Sequence, residues 1–206
     1  MREITATRRV FTFDELAPAA KRKATEILRQ EAWECLDSDM VSEYVAGRFA
    51  YLADGYGGGV LSKRELEARY RVRIYWSVAC GQSDDAQISG TLSRDYHPNL
   101  AWPEGIDTIR VTARNMGWSS VTNVYLLDDD GEPGAETWDS DIHEVASRFV
   151  MGLCKTIYRW AREECEVHTD EQYVLDSFAA AGDQRRFDED GSLAPVEFWA
   201  DDEVTA

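Results

Sequence analysis

Positive charge is scarce in this sequence: Lys and Arg total 22 against 39 Asp and Glu, a formal net charge of -17. A surface that negative repels nucleic acid and anionic membranes, which argues against direct DNA or RNA binding and against a membrane role. The partner it favours is a protein with a basic surface. Long apolar runs are missing too, since none approaches the roughly 20 residues of a membrane-spanning helix. The opening MREITATRRVF has no apolar core of the signal-peptide kind. A soluble, cytoplasmic protein is the expectation. Cysteine is limited to Cys35, Cys80, Cys154 and Cys165, with no CxxC pair, which reads as reduced thiols. Histidine is limited to His97, His143 and His168, too scattered for a zinc set, so no metal and no cofactor are expected.

What the chain does have is a strongly patterned centre, RVRIYWSVACGQSDDAQISGTL over residues 71–92. Val72, Ile74, Trp76 and Val78 alternate with Arg71, Arg73, Tyr75 and Ser77, the period of a half-buried strand. Ala86, Ile88, Gly90 and Leu92 repeat the alternation, and the polar GQSDD between them has the composition of a hairpin loop. Residues 107–114 and 119–127, rich in β-branched side chains, read as a third and a fourth strand, and residues 3–11 as another.

Helical signals surround these strands. Thr12 with Glu15 has capping-box spacing, and Pro18 suits the first position of a helix reaching about Leu36, with Ala20, Ala24, Ile27 and Leu28 on one face. Asp37, Ser38 or Asp39 caps a second helix with Val41, Tyr44, Val45 and Leu52 as its stripe, ended by the glycines at 55–59. Ser62 and Glu65 box a short helix to about Ala68. Asp139 to Asp141 cap the clearest helix, marked by Ile142, Val145, Ala146, Phe149, Leu153, Ile157 and Ala161. Thr169 and Gln172 box a last one, ending at Gly182, before a short strand near 186–193 that turns at Asp190 and Gly191. The stretch DYHPNLAWPEG reads as loop and makes His97 a loop residue. The resulting fold class is α+β: an antiparallel sheet of about four to five strands packed against two to three helices. One domain over 1–195 is expected, with an acidic tail over 196–206.

Three segments, FTFDELAPAAKRKATEIL, IYWSVACGQSDDAQISGTL and YRWAREECEVHTDEQYVLDSFAAAGDQRRFDEDGSL, are similar in order to those of a family of small phage and prophage proteins often labelled antitoxin-like. In that family the first reads like TFDELS-P-EAK, the second like FSGF-SQGDGA and the third like TSDE, a helix and an FDEDG turn. The chain departs from this pattern in the middle segment, where Ser83 stands in place of a glycine and Ala79 in place of an aromatic. The resemblance covers about a third of the chain. It implies a mobile-element origin, hence a host-cell cytoplasm, an α+β arrangement and an antitoxin or regulator that neutralises a toxin partner. It carries no catalytic residue onto this chain.

The candidate site residues lie in two loops. Gln82, Ser83, Asp84 and Asp85 sit at the tip of the hairpin, where side chains can contact a partner or ligand. A solvated turn is the plainer reading, and no histidine stands near Ser83 to serve as a base, which weakens a hydrolase or transferase site at 82–85. The second group lies in a run from Asn115 to Ser147 that contains no Lys or Arg and carries Asp128, Asp129, Asp130, Glu132, Glu136, Asp139, Asp141 and Glu144. Calcium-loop spacing fails there, because Leu126 stands where the first ligand belongs. The glycines at 55–59 lack the strand and the Gly-Lys-Ser/Thr of a phosphate loop.

A carboxylate block of this length imitates a phosphate array, and Trp118, Tyr125 and Trp138 supply aromatic anchors beside it. The plainer reading is a solvated face whose carboxylates complement a helix N-terminus. The function expected is a non-enzymatic, phage-type inhibitor of a host nucleic-acid-handling defence enzyme, of anti-CRISPR or anti-restriction type. It would act partly by nucleic-acid mimicry through Asp128, Asp129, Asp130, Glu132, Glu136 and Trp138, together with Gln82, Asp84 and Asp85.

Overall fold

The computed structural model describes residues 8–78, 85–115, 120–127, 141–181 and 185–195. Five α-helices and a four-stranded antiparallel sheet make it an α+β protein with its sheet packed against helices. The helices are α1 (Pro18–Glu34), α2 (Ser38–Asp54), α3 (Lys63–Tyr70), α4 (Asp141–His168) and α5 (Glu171–Ala180). The strands are β1 (Val72–Ser77), β2 (Asp85–Ser93), β3 (Thr108–Asn115) and β4 (Ser120–Leu126), in the spatial order β1-β2-β3-β4. The chain forms two compact units, one drawn from Met1–Leu36 and Glu166–Ala206, the other from Asp37–Cys165.

In the first unit Pro18 occupies the first turn of α1, where its missing N–H leaves no bond unmade. Ala20, Ala24 and Leu28, four residues apart, are buried in a cluster with Leu16, Val174 of α5 and Phe187. Phe13 meets the rings of Phe178 and Phe187 with centroids 5.9 and 6.0 Å away. The predicted first strand is reduced to one bridge between Phe11 and Phe187, with Phe187 bridged in turn to Leu193; residues 8–10 join no strand, and 3–7 lie outside the described residues. The turn at Asp190-Gly191 holds Gly191 at φ +85°, against the Ala20 carbonyl. Lys23 fixes that turn from α1 by donating to the carboxylate of Asp190 at 2.7 Å and to the Ser192 hydroxyl at 2.6 Å.

The start of α5 differs from the sequence expectation. Its N-cap is Asp170, whose carboxylate accepts from the N–H groups of Gln172 and Tyr173, whereas the Thr169 hydroxyl bonds back to the Glu166 carbonyl. A carboxylate at the cap also complements the helix dipole, which a hydroxyl does not.

In the second unit the register pairs Val72 with Gly90, Ile74 with Ile88 and Trp76 with Ala86, so the predicted apolar residues of both hairpin strands share one face. Pairing of Gly90 with Val111, Leu92 with Ile109 and Val111 with Val124 carries that face across β3 and β4. Val72, Ile88, Leu92, Ile109 and Val111 are all but inaccessible to solvent. Asp37 caps α2 through bonds from Asp39 and Met40, and Ser62 with Glu65 boxes α3 as their spacing predicts.

The buried stripe of α2 contains the predicted Val41 and Val45 together with Ser42, Ala46, Phe49, Ala50 and Ala53, while the predicted Tyr44 and Leu52 are half-buried. Along α4, Val150, Leu153, Ile157 and Ala161 are buried, but the predicted Ile142 and Val145 in its first two turns are exposed. The loop after β2 contains no strand or helix, as its prolines suggest, yet it is closely tied down. Arg94 donates to the carbonyls of Ile106 and Pro103, and the Trp102 indole to the carbonyl of His97. His97 itself is fully buried, its ring 5.8 Å from Phe49 and 5.9 Å from Tyr70.

Candidate functional site: a groove along the free edge of the sheet

Among the described residues β1 has one neighbour, β2, so its other edge lies at a border of the sheet. Which backbone groups face that edge follows from the ladder. The N–H of Thr91 donates to the carbonyl of Arg71, and in an antiparallel ladder such exchanging pairs recur every second residue. Arg73 with Ser89 and Tyr75 with Gln87 are therefore hydrogen-bonded pairs, and the N–H and C=O groups of Ile74 and Trp76 point away from β2. Donor-and-acceptor sets spaced about 6.8 Å apart are thus left along the edge.

That edge borders a groove of about 690 Å³ shared with α2 and α3. Buried Ala46 and Leu66 and half-buried Ile74, Trp76 and Val78 supply its apolar surface. Trp76 is oriented by its indole N–H, which donates to the Ser42 hydroxyl at 3.0 Å, and that hydroxyl donates to the Ser38 carbonyl at 2.6 Å. A three-part chain of this kind holds a large ring in one rotamer at the groove wall.

The groove is cationic in a chain that is otherwise strongly anionic. Lys63, Arg64 and Arg73 line it against one carboxylate, Glu67. Glu67 accepts from the Arg73 Nε at 2.7 Å, a bond that holds the Glu67 carboxyl below its ordinary range. Lys63 pairs with exposed Asp39 at 3.0 Å. Arg64 is exposed and makes no ion pair among the described residues.

Beyond the groove, α2 ends in an ordered polar cluster. The Asp54 carboxylate accepts from the Tyr70 hydroxyl at 3.0 Å, from the Arg69 guanidinium at 2.9 Å and from the Tyr56 N–H at 2.9 Å. Burial pushes its pKa up, but the bonds from Arg69, Tyr70 and Tyr56 outweigh burial and hold it below the usual carboxylate value. Burial, then the neighbouring carboxylate, pushes the Tyr70 phenol up. The cluster is closed on itself and serves the packing of Tyr70.

Among the described residues, Asp85 represents the hairpin-tip group and Asp141 and Glu144, exposed in the first turn of α4, represent the acidic run. Asp85 opens β2, pairs across the ladder with Ser77 and accepts from the N–H of Ala86 at 2.7 Å. Gln82, Asp84, Asp128, Asp129, Asp130, Glu132, Glu136 and Trp138 lie outside the described residues. Cys154 is buried, and burial pushes its thiol up to about 11, the setting of an inert thiol rather than a nucleophile. Cys35, Cys154 and Cys165 form no disulfide among the described residues. Among the described residues no three His, Cys, Asp or Glu side chains come together as a metal set, and no helix is long and apolar enough to cross a membrane.

The groove is not legible from the sequence pattern alone. Its signal was present in Arg73, Ile74 and Trp76, but nothing in the strand pattern names the free edge. Comparison with protein-family models, curated proteins and solved structures finds no match to this chain.

Proposed function

We propose that the protein is a non-enzymatic inhibitor that binds a basic, nucleic-acid-handling surface of a defence enzyme in its host. The observation that carries this reading is the run from Asn115 to Ser147, which holds eight carboxylates and no Lys or Arg in a chain of net charge -17. Carboxylates in that density raise the encounter rate with a cationic channel and compete with phosphate for it.

The described part of the run adds an apolar component. Asp141 and Glu144 are exposed on the first turn of α4, and beside them Ile142 and Val145 are exposed at 51% and 38%. Acidic groups that set orientation around apolar groups that are desolvated on contact are the usual composition of a protein interface. The similarity to antitoxin-like phage proteins favours a second reading of the same surface, in which the partner is one cognate toxin.

Capture from host lysate followed by mass spectrometry identifies the partner and separates the two readings. A stoichiometric nuclease or other nucleic-acid enzyme is expected under the first, and a toxin under the second. With the partner in hand, Asp128, Asp129, Asp130 and Glu132 are replaced by Asn and Gln. The association rate should fall by roughly tenfold at low salt, and the difference should shrink as ionic strength rises, because the Debye length is only about 8 Å at physiological salt. An unchanged association rate would refute mimicry by this block.

A further inference from the structure

From the free edge of β1 and the cationic groove beside it, we infer that this groove binds an extended, acidic segment of another protein as an added strand of the sheet. The groove shares no residue with the acidic run and is opposite to it in charge.

Strand addition needs an accessible edge with its donors and acceptors in register, and apolar relief beside it for alternate side chains. β1 supplies both. The N–H and C=O groups of Ile74 and Trp76 face away from β2, and among the described residues no backbone hydrogen bond from another element occupies them. Leu66 and Ala46, with the ordered Trp76 ring, form the apolar surface into which every second residue of the incoming strand would point. Natural sheets blunt such edges with proline, charged side chains, bulges or coverage; β1 carries no proline, and its one charged side chain, Arg73, is held by Glu67.

The charge of the groove selects the occupant. Of the three cations lining the space, Arg73 is paired with Glu67 and Lys63 with Asp39, and Arg64 has no counter-ion among the described residues, which leaves the groove with a net positive charge. An incoming strand with carboxylates at alternate positions neutralises this excess, whereas a basic strand is repelled. A second copy of this chain fits poorly. Antiparallel self-pairing of β1 would place Arg73 and Arg64 of one copy in the groove that already holds the same cations.

The test uses the whole protein and a short acetylated, amidated peptide of alternating Val and Glu. Its comparison peptides carry Lys in place of Glu or an N-methyl group on every residue. The Val-Glu peptide should bind in a calorimetric titration and slow amide hydrogen exchange at Ile74 and Trp76. The Lys peptide and the N-methylated peptide should each bind at least tenfold more weakly, the first through charge and the second through lost backbone donors. Arg64→Glu, at an exposed position, should weaken the Val-Glu peptide by at least tenfold with an unchanged melting temperature. Ile74→Pro removes one edge donor that β2 does not use and should weaken the Val-Glu peptide likewise, at a cost in melting temperature from its lost apolar side chain, so Arg64→Glu carries the comparison at constant stability. Absence of binding, or binding indifferent to N-methylation and to Arg64→Glu, would overturn the inference. So would a dimer in sedimentation that protects the Ile74 and Trp76 amides without peptide, because it would assign the edge to a second copy.

Discussion

His97 offers a quantitative test of how the second unit is built. Its ring is fully buried between Phe49 and Tyr70, Nδ1 lies 3.2 Å from the N–H of Ser93 and 3.0 Å from the carbonyl of the same residue, and Nε2 is enclosed with no hydrogen-bond partner. Burial holds its pKa below the ordinary value, more strongly than the Ser93 and Tyr70 backbones and the Asp54 charge raise it. The unfolded chain, with a histidine pKa of about 6.5, therefore takes up a proton that the folded chain resists. Stability from this group is complete above that pH and is lost as pH falls through it toward the folded value. One such group changes unfolding free energy by up to about 1.4 kcal/mol per pH unit, against a typical total of about 5 to 15. His97→Leu removes the titration and, at pH 7.5, leaves the Ser93 N–H without its acceptor, a cost of about 1–3 kcal/mol. Urea unfolding of both proteins between pH 7.5 and 5.5 should show the wild type losing stability faster, so that the two curves converge. Carboxylates such as Asp54, which are depressed and lose their contribution only at more acidic pH, are common to both proteins and cancel in the difference. A gap between the two proteins that stays constant over this range would refute the reasoning.

Two further outcomes test the first unit. Gly191→Ala would place a Cβ 2.1 Å from the Ala20 carbonyl oxygen at φ +85°, whereas at Gly105, φ +75°, a Cβ meets nothing within 4 Å. The first should destabilise by about 2–4 kcal/mol and the second by about 1 kcal/mol, the left-handed conformation alone, and equal melting-temperature losses would contradict the close approach. Asp170→Ala should cost about 1 kcal/mol as the loss of the α5 cap, with Thr169→Ala costing less; the reverse order in chemical denaturation would restore Thr169 to that role.

The elements legible in advance were those whose signal is local. Pro18, Asp37 and the Ser62–Glu65 pair each act within one turn of chain, and each sits where its chemistry requires. The β1 alternation is equally local and yields its apolar face directly, whereas β2, flanked by β1 and β3, also buries Gln87 and Ser93 on its other face. Misreadings arose where burial is decided by neighbours distant in sequence. The inward stripe of α2 joins the predicted Val41 and Val45 to Ser42, Ala46, Ala50 and Ala53, small residues that let other elements approach and carry little apolar signal of their own, whereas bulkier Tyr44 and Leu52 stay half-buried. His97 stands next to a proline in a loop, and only the meeting of that loop with Phe49 of α2 and Tyr70 of α3 makes it a core residue. At α5, two capping candidates stood side by side, and the carboxylate that also complements the helix dipole took the position.

The groove illustrates a deeper limit. Period-2 patterning states which side chains of a strand share a face, because pleating sends alternate side chains to opposite sides. It says nothing about the two edges, since every residue of a strand has the same backbone groups whichever neighbour they meet. Whether Ile74 and Trp76 direct those groups toward β2 or away from it depends on a one-residue phase of the ladder, set by the bond from Thr91 to Arg71. That β1 is a border strand depends on where β3 and β4 were added, and both joined on the far side of β2. The cations that face the groove come from α3 and β1, and their shared location exists only once the helix has turned into the strand at Arg71, which adopts φ +56°. Charge counted along the chain is overwhelmingly negative, yet charge assembled at this edge is positive. The binding chemistry of the edge is therefore a property of strand order and ladder phase.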